Sequence, residues 1–321
     1  MRAIRVHAPG EADAMVLEET PDPQPGPEEA VVRLEAVGVN FIDVYHRKGL
    51  YPQPLPFTPG SEGAGTVVAV GPGVTSVKVG DRVASETLKG AYAQLAVARA
   101  ERLVALPNGV DARTGAAVML QGLTAHYLAT STYPLKPGDT CLVHAGAGGV
   151  GLLLTQLAVR RGARVISTVS TAEKEALARE AGAHDVIRYT ERDFVAEVRW
   201  LTGGAGVQVV YDSVGRTTFD GSLDCLARRG MLVLFGQSSG PVPPFDPQIL
   251  NRKGSLFLTR PTLAHYAVGE ELAARSAELL GWVADGSLAV RVGAEYPLAD
   301  AAAAHRALEG RETTGKVLLI P

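Results

Sequence analysis

Apolar and polar positions change rhythm once along the chain. Before Pro107 the apolar residues come in short alternating or valine-rich runs, at residues 30–39, 65–70, 81–85 and 90–97. A period near two predicts strands. Clusters of Pro and Gly separate them, at residues 23–27, 52–59 and 71–73. The pattern predicts a partly closed antiparallel barrel. After Pro107 the spacing becomes helical over residues 111–130. From Thr140 strands and helices alternate: strand 140–145, helix 150–161, strand 163–169, helix 172–181, and buried strands at 207–212 and 231–235. That βαβ alternation predicts an α/β domain with a doubly wound parallel sheet. A last helix is expected at 272–285, and a strand at 316–320 that returns to the first domain.

Composition narrows the class. A chain of 321 residues is long enough for two modest domains. Hydrophobic residues make up 46% and charged residues 20%, with a formal net charge of -3 and no dense Lys/Arg tract. No electrostatic footprint for nucleic acid or an anionic membrane is present. The first twenty or so residues mix charged and apolar positions, so no signal peptide is expected. No apolar run approaches the roughly 20 residues of a membrane span. The two cysteines, Cys141 and Cys225, have no metal-ligand spacing and cannot build a disulfide framework. A reducing cytoplasm is the expected compartment.

The most informative motif is Gly146-Ala147-Gly148-Gly149-Val150-Gly151, which fits G-x-G-x-x-G between a predicted strand and a predicted helix. In that context Gly146 permits the tight turn, Gly148 admits a pyrophosphate against the backbone, and Gly151 lets helix and strand approach. The free amides of the helix start then face the phosphates. The choice between NAD and NADP falls at the end of the next strand. An NAD site places Asp or Glu there to bind the ribose 2′-hydroxyl. Here Ser170 and Thr171 follow the strand, with Lys174 one turn into the helix. Two hydroxyls and an ammonium suit a 2′-phosphate, which a carboxylate would repel. The expectation is NADPH.

The chain resembles the medium-chain dehydrogenase/reductase superfamily and, within it, the quinone oxidoreductases related to zeta-crystallin. The resemblance runs along essentially the whole chain. It is carried by Gly38-Val-Asn-Phe-Ile-Asp43, Gly49-Leu-Tyr-Pro52, Pro59-Gly-Ser-Glu-Gly-Ala-Gly65, His144 to Gly151, Tyr211-Asp-Ser-Val-Gly215, Phe235-Gly-Gln-Ser-Ser-Gly240 and Gly254-Ser-Leu-Phe-Leu-Thr-Arg-Pro261. It implies a GroES-like catalytic barrel domain, expected at residues 1–121 and 263–321, and a Rossmann domain at 122–262, with nicotinamide and quinone between them. Zinc alcohol dehydrogenases of the superfamily carry a ligand Cys at the position of Asn40 and a ligand His at that of Ser61. Zinc takes thiolate or imidazole, and the four-cysteine structural lobe is missing too, so both zinc sites are expected to be lost. Glu62 alone makes no metal site and reads as a buried hydrogen-bond acceptor.

Without a Lewis acid, alcohol oxidation has no means of developing an alkoxide. A quinone is already electron-poor and needs mainly to be held near the hydride donor. The absence of a nucleophile elbow sets aside a Ser/His/Asp hydrolase. Candidate acceptor-side residues are Asn40, Tyr45 and Tyr51. Tyr45 reads equally as barrel packing with a wet hydroxyl, Tyr51 in its Pro-flanked loop reads first as a pocket residue, and His46 and His126 read as structural. The resemblance also implies cofactor contacts at Thr124, Tyr189, Ser213, Phe235, Gly236, Ser238 and Arg311. A homodimer is expected through the sheet edge at residues 254–259, with Leu256 and Leu258 as its apolar side chains. Two alternatives stand beside the quinone reductase: an NADPH-dependent reductase of alkenals and enones, and a non-catalytic NADPH-binding structural or RNA-binding protein.

Overall fold

The alternating first third of the chain does fold into strands. In the computed structural model, which describes residues 1–321, they are β1 (Arg2–Val6), β2 (Met15–Glu19), β3 (Glu29–Val39), β4 (Glu62–Val70), β5 (Arg82–Ser85), β6 (Leu95–Arg99) and β7 (Val104–Ala105). Helix α1 (Phe41–Arg47) interrupts them, and α2 (Ala112–Tyr127) follows. The alternating stretch then runs β8 (Thr140–Val143), α3 (Gly149–Arg160), β9 (Arg164–Val169), α4 (Ala172–Glu180), β10 (Asp185–Arg188), α5 (Phe194–Leu201), β11 (Val207–Asp212), α6 (Phe219–Cys225), β12 (Leu226–Leu234), α7 (Gln248–Arg252) and β13 (Phe257–Thr259). The chain closes with α8 (Gly269–Ala284), β14 (Val292–Pro297), α9 (Ala301–Glu309) and β15 (Lys316–Ile320). No helix is long and apolar enough to cross a membrane.

Two compact units result: Met1–Gln121 with Gly269–Pro321, and Gly122–Val268. In the first, seven strands form a sheet of order β14-β15-β3-β4-β5-β7, with β6 also paired to β3. The eleven-residue β3 is its spine, because its buried run Ala30, Val31, Val32, Leu34 and Ala36 to Val39 packs into the barrel core. Its C-terminal end is flanked on both sides: Gly38 pairs with Glu62 of β4 and with Leu318 of β15. That register brings Asn40, Glu62 and Lys316 together from three distant parts of the sequence.

The second unit is a six-stranded, all-parallel sheet of order β10-β9-β8-β11-β12-β13. Buried Leu142, Ile166, Val207, Val210 and Leu232 form its core, as continuous apolar strands covered on both faces require. From β8 the chain first builds outward through β9 and β10, then returns to place β11 on the other side of β8. The switch point therefore lies between β8 and β11, where such sheets bind ligands at their carboxyl ends.

Three expectations shift. The strand expected at residues 90–97 begins only at Leu95, since Gly90 takes φ 68° and Ala91 and Tyr92 donate to the carbonyls of Gly60 and Pro59. The second unit extends past residue 262 to Val268, where Tyr266 stacks on Tyr127 at 4.4 Å. The edge segment is a strand only over Phe257–Thr259. Its exposed apolar side chain is Phe257, at 53%, while Leu256 is buried and Leu258 packs against the core.

Candidate functional site

The glycine loop joins β8 to α3. Ala145 adopts φ 53°, Gly148 caps the helix without any side-chain acceptor, and the first turn of α3 holds no acidic residue. The start of α3 is thus a cluster of amides with no competing negative charge, as a pyrophosphate needs. A side chain at Gly146 would strike Ser167, whose Cβ lies 3.0 Å from the added carbon, and one at Gly151 would lie 2.8 Å from Gly146 Cα. Both glycines are required by packing. Ala147 is buried, and Gly149 and Val150 open the helix.

At the end of β9 stand Ser170 and Thr171, and no carboxylate. Thr171 caps α4 by accepting from the Lys174 amide at 3.2 Å, which places the half-buried Lys174 side chain on the first turn. Tyr189 follows β10, donates its amide to Val169 and is 39% exposed. Ser170, Thr171, Lys174 and Tyr189 therefore gather at one corner of the sheet, while Glu173 is exposed beside them. Ser213 follows β11, and Phe235, Gly236 and Ser238 follow β12. Ser238 donates its amide to the Ser213 carbonyl at 3.1 Å, and a Cβ on Gly236 would meet that oxygen at 2.6 Å. Thr124 is buried in α2.

A buried polar network, unforeseen in the sequence, supports these loops. Asp212 accepts from the Ser222 and Thr218 hydroxyls and from the amides of Val214 and Gly215, at 2.7–3.0 Å. The Ser222 hydrogen goes to Asp212, so His144 Nε2 donates to Ser222 Oγ at 3.0 Å and Nδ1 accepts from Thr168 at 2.9 Å. Burial lowers the His144 pKa, against the opposing pull of the Asp212 carboxylate. The network ties β8, β9, β11 and α6 together behind the glycine loop.

In the first unit, Asn40 follows β3 at the N-cap of α1 and is 5% exposed. Its Nδ2 donates to Glu62 Oε2 at 2.8 Å and to the Gly38 carbonyl at 3.4 Å. Its Oδ1 accepts from Lys316 Nζ at 2.8 Å and from Gln121 Nε2 at 3.5 Å. Lys316 also pairs with Glu62 Oε2, and Glu62 Oε1 accepts from the Leu120 amide at 2.6 Å. Tyr45 of α1 meets Tyr51 edge-on at 5.5 Å, and His46 lies 6.1 Å from Tyr51. Arg311 follows α9 at φ 60°. Asn40, Tyr45, Tyr51 and Arg311 belong to the first unit and the nucleotide-loop residues to the second.

Behind Asn40 runs a second buried chain that sequence reasoning missed. Arg47, which has only donors, donates to His305 Nδ1 at 3.0 Å. Nε2 of His305 therefore carries the hydrogen and donates to Tyr92 Oη at 2.8 Å, and Tyr92 donates to Asp43 Oδ2 at 3.1 Å. The backbone N–H of Asn40 donates to the same oxygen at 2.9 Å. Burial raises the Asp43 pKa to about 7 and lowers that of His305 to about 3. No sequence signal pointed to Lys316, Tyr92 or His305, because each meets its polar partners only through the fold.

Family models match residues 26–108 as an alcohol dehydrogenase GroES-like domain and residues 149–285 as a zinc-binding dehydrogenase domain. A quinone oxidoreductase of Pseudomonas aeruginosa is 51% identical over 93% of both chains. The structure of an Escherichia coli quinone oxidoreductase complexed with NADPH superposes with a TM-score of 0.98 at 46% identity over 100% of both chains. The chain belongs to the quinone oxidoreductases of the medium-chain dehydrogenase/reductase superfamily. A 2-haloacrylate reductase of a Burkholderia species is also similar, at 44% identity over 99% of this chain and 98% of its own.

One family model carries zinc in its description, and the residues here do not fit that metal. Among Asn40, Ser61 and Glu62 there is no thiolate or imidazole. The Lys316 ammonium is hydrogen-bonded to both Asn40 and Glu62, so a cation is already built into the protein where a dication would be repelled. No group of three or more His, Cys, Asp or Glu side chains is arranged to hold a metal.

Proposed function

We propose that this chain is an NADPH-dependent quinone reductase that works without zinc. The observation that carries this reading is the uncapped, glycine-lined start of α3 beside a β9 end free of carboxylates, which fits NADPH. When bound, the cofactor supplies a hydride from its nicotinamide. The amides of residues 146–151 take the pyrophosphate. Ser170, Thr171, Lys174 and Tyr189 border the 2′-phosphate, while Thr124, Ser213, Phe235, Gly236 and Ser238 border the nicotinamide half, and Arg311 adds a further contact. Asn40 donates to an acceptor oxygen, and Tyr45 and Tyr51 offer ring faces and hydroxyls to the acceptor. Solvent supplies the proton of the hydroquinone. The test is NADPH consumption with 1,4-naphthoquinone and 9,10-phenanthrenequinone. No turnover with any quinone by an enzyme that binds NADPH would refute the reading.

The similarity to a 2-haloacrylate reductase favours one second reading, reduction of an activated double bond. Turnover on 2-alkenals and 2-chloroacrylate that exceeds turnover on quinones would select it.

Lys174→Ala should weaken NADPH binding by about tenfold or more and leave NADH nearly unchanged, since a charge-assisted contact to phosphate is worth roughly 1.5–3 kcal/mol. Fluorescence titration of both cofactors decides it. Equal losses for the two would show that Lys174 is not the selector.

The homodimer reading now rests on Phe257. The three-residue β13 is the sheet's edge and exposes that ring, and a two-fold axis would pair the strand with its copy. Light scattering should give about twice the 33.6 kDa chain mass, and Phe257→Lys should shift the protein towards monomer. A monomeric wild type at micromolar concentration would rule the dimer out. We place the protein in the cytoplasm, where buried Cys141 and Cys225 remain free thiols.

A further inference from the structure

We infer that the buried Glu62–Lys316 ion pair sets the polarity of the Asn40 side-chain amide, which makes Glu62 and Lys316 positioning residues for acceptor reduction. The inference rests on the reading of Asn40 as a donor to the acceptor oxygen.

An asparagine amide is nearly symmetric in shape, so packing alone scarcely distinguishes its two orientations. Here the flanking groups do. Glu62 is acceptor-only and sits 2.8 Å from Nδ2, while Lys316 is donor-only and sits 2.8 Å from Oδ1. Turning the amide over would set Oδ1 against a carboxylate and Nδ2 against an ammonium. Both contacts would be repulsive, and in a site this buried they are weakly screened. The two bonds that fix the amide are short, and the other two, to Gly38 and from Gln121, are long at 3.4 and 3.5 Å. The Nδ2 hydrogen now lent to Gly38 is therefore the one an acceptor oxygen competes for.

Backbone architecture serves the same pair. Glu62 opens β4 and Lys316 opens β15, on either side of Gly38 in β3. A Cβ on Gly38 would lie 2.7 Å from both Glu62 Cδ and Lys316 Cε. Only glycine lets the two side chains meet across the strand. The Leu120 amide holds the second carboxylate oxygen at 2.6 Å, so Glu62 cannot rotate away.

The test compares wild type, Asn40→Ala, the double variant Glu62→Gln/Lys316→Met, and the triple variant combining them. Removing both charges avoids leaving one buried charge unpaired. The Leu120 amide keeps the glutamine oxygen, so the glutamine NH2 faces Asn40, and the methionine sulfur is at most a weak acceptor, so the wild-type amide orientation is no longer enforced. The double variant should keep NADPH affinity and melting temperature near wild type. Its kcat/KM for 1,4-naphthoquinone should fall about tenfold or more, as in Asn40→Ala. In the triple variant, removing the pair should cost less than about twofold beyond Asn40→Ala, because interacting groups are non-additive. In a 15N spectrum the Asn40 NH2 protons, assigned by their loss in Asn40→Ala, should be widely separated and slow to exchange in wild type, and collapse in the double variant. A double variant with wild-type kcat/KM, multiplying effects in the triple variant, or an unchanged Asn40 signal would each overturn the inference. Absence of quinone turnover in wild type would instead refute the proposed function, while the Asn40 signal still reports on the amide.

Discussion

Gly151→Ala should abolish useful NADPH binding while the protein still folds. A methyl there would be driven into the Ala145 carbonyl and would lie 2.8 Å from Gly146 Cα and 2.9 Å from Gly146 C. These are backbone atoms of the same loop, so no side chain can swing aside. Ala145 is already in the left-handed region at φ 53°, and Gly146 is wedged against Ser167. To admit the methyl, α3 must slide away from β8, and its amides leave the phosphate position. Overpacking of this kind costs about 1–3 kcal/mol. Charged to the bound loop geometry, that is roughly a 5- to 150-fold loss of affinity, with lost phosphate contacts adding to it. Gly281→Ala is the control: it lies in α8 with nothing within 4 Å of the added carbon. It should be neutral or slightly stabilising, because alanine favours helix. Fluorescence titration with NADPH reads both, and an affinity for Gly151→Ala within about twofold of wild type would show that the loop is not the pyrophosphate site.

Local structure held in one contiguous stretch was legible in the sequence: the glycine loop falls between strand β8 and helix α3, and Ser170, Thr171 and Lys174 fall directly after β9, because these elements are consecutive. The parallel sheet announced itself through apolar runs such as 207–212, which match β11 residue for residue. What could not be read is whatever the sheet register assembles. Asn40 looked like a lone pocket residue. Its amide is in fact shared among Glu62, Gly38, Lys316 and Gln121, and Lys316 is 276 residues away. The Arg47 to Asp43 chain likewise needs His305, 258 residues from Arg47. Short strands were misjudged where a turn glycine intervened, as at Gly90. The edge strand was placed correctly but its exposed side chain was not, because alternation fixes which residues share a face and not which face is buried.

Asp43→Asn and His305→Gln should tilt the pH dependence of stability in opposite directions. Burial raises Asp43 from 3.8 to about 7. Burial, with Arg47 next, lowers His305 from 6.5 to about 3. The charged groups acting on them are Lys316, Glu62, Arg47 and Glu309. In mildly acidic solution, between the unfolded Asp and His values of 3.8 and 6.5, the folded protein holds both groups neutral. The unfolded chain has an ionised carboxylate and a protonated imidazole instead. Proton counts match, so in wild type the pair contributes almost no slope. Asp43→Asn leaves His305 alone. The unfolded state then binds the extra proton, and stability is lost as pH falls from 6.5 towards 3. His305→Gln leaves Asp43 alone. The folded state then binds the extra proton, and the stability present below 3.8 is lost as pH rises towards 7. One proton corresponds to a slope of about 1.4 kcal/mol per pH unit, so the two variants should differ by roughly 2.7 kcal/mol per unit in this window. Asparagine and glutamine retain hydrogen-bonding partners for Tyr92, which limits other losses. Urea unfolding of the three proteins at several mildly acidic pH values measures the slopes directly. Parallel slopes in all three would mean that Asp43 is ionised and His305 protonated in the folded protein, and that the buried chain does not hold its neutral form.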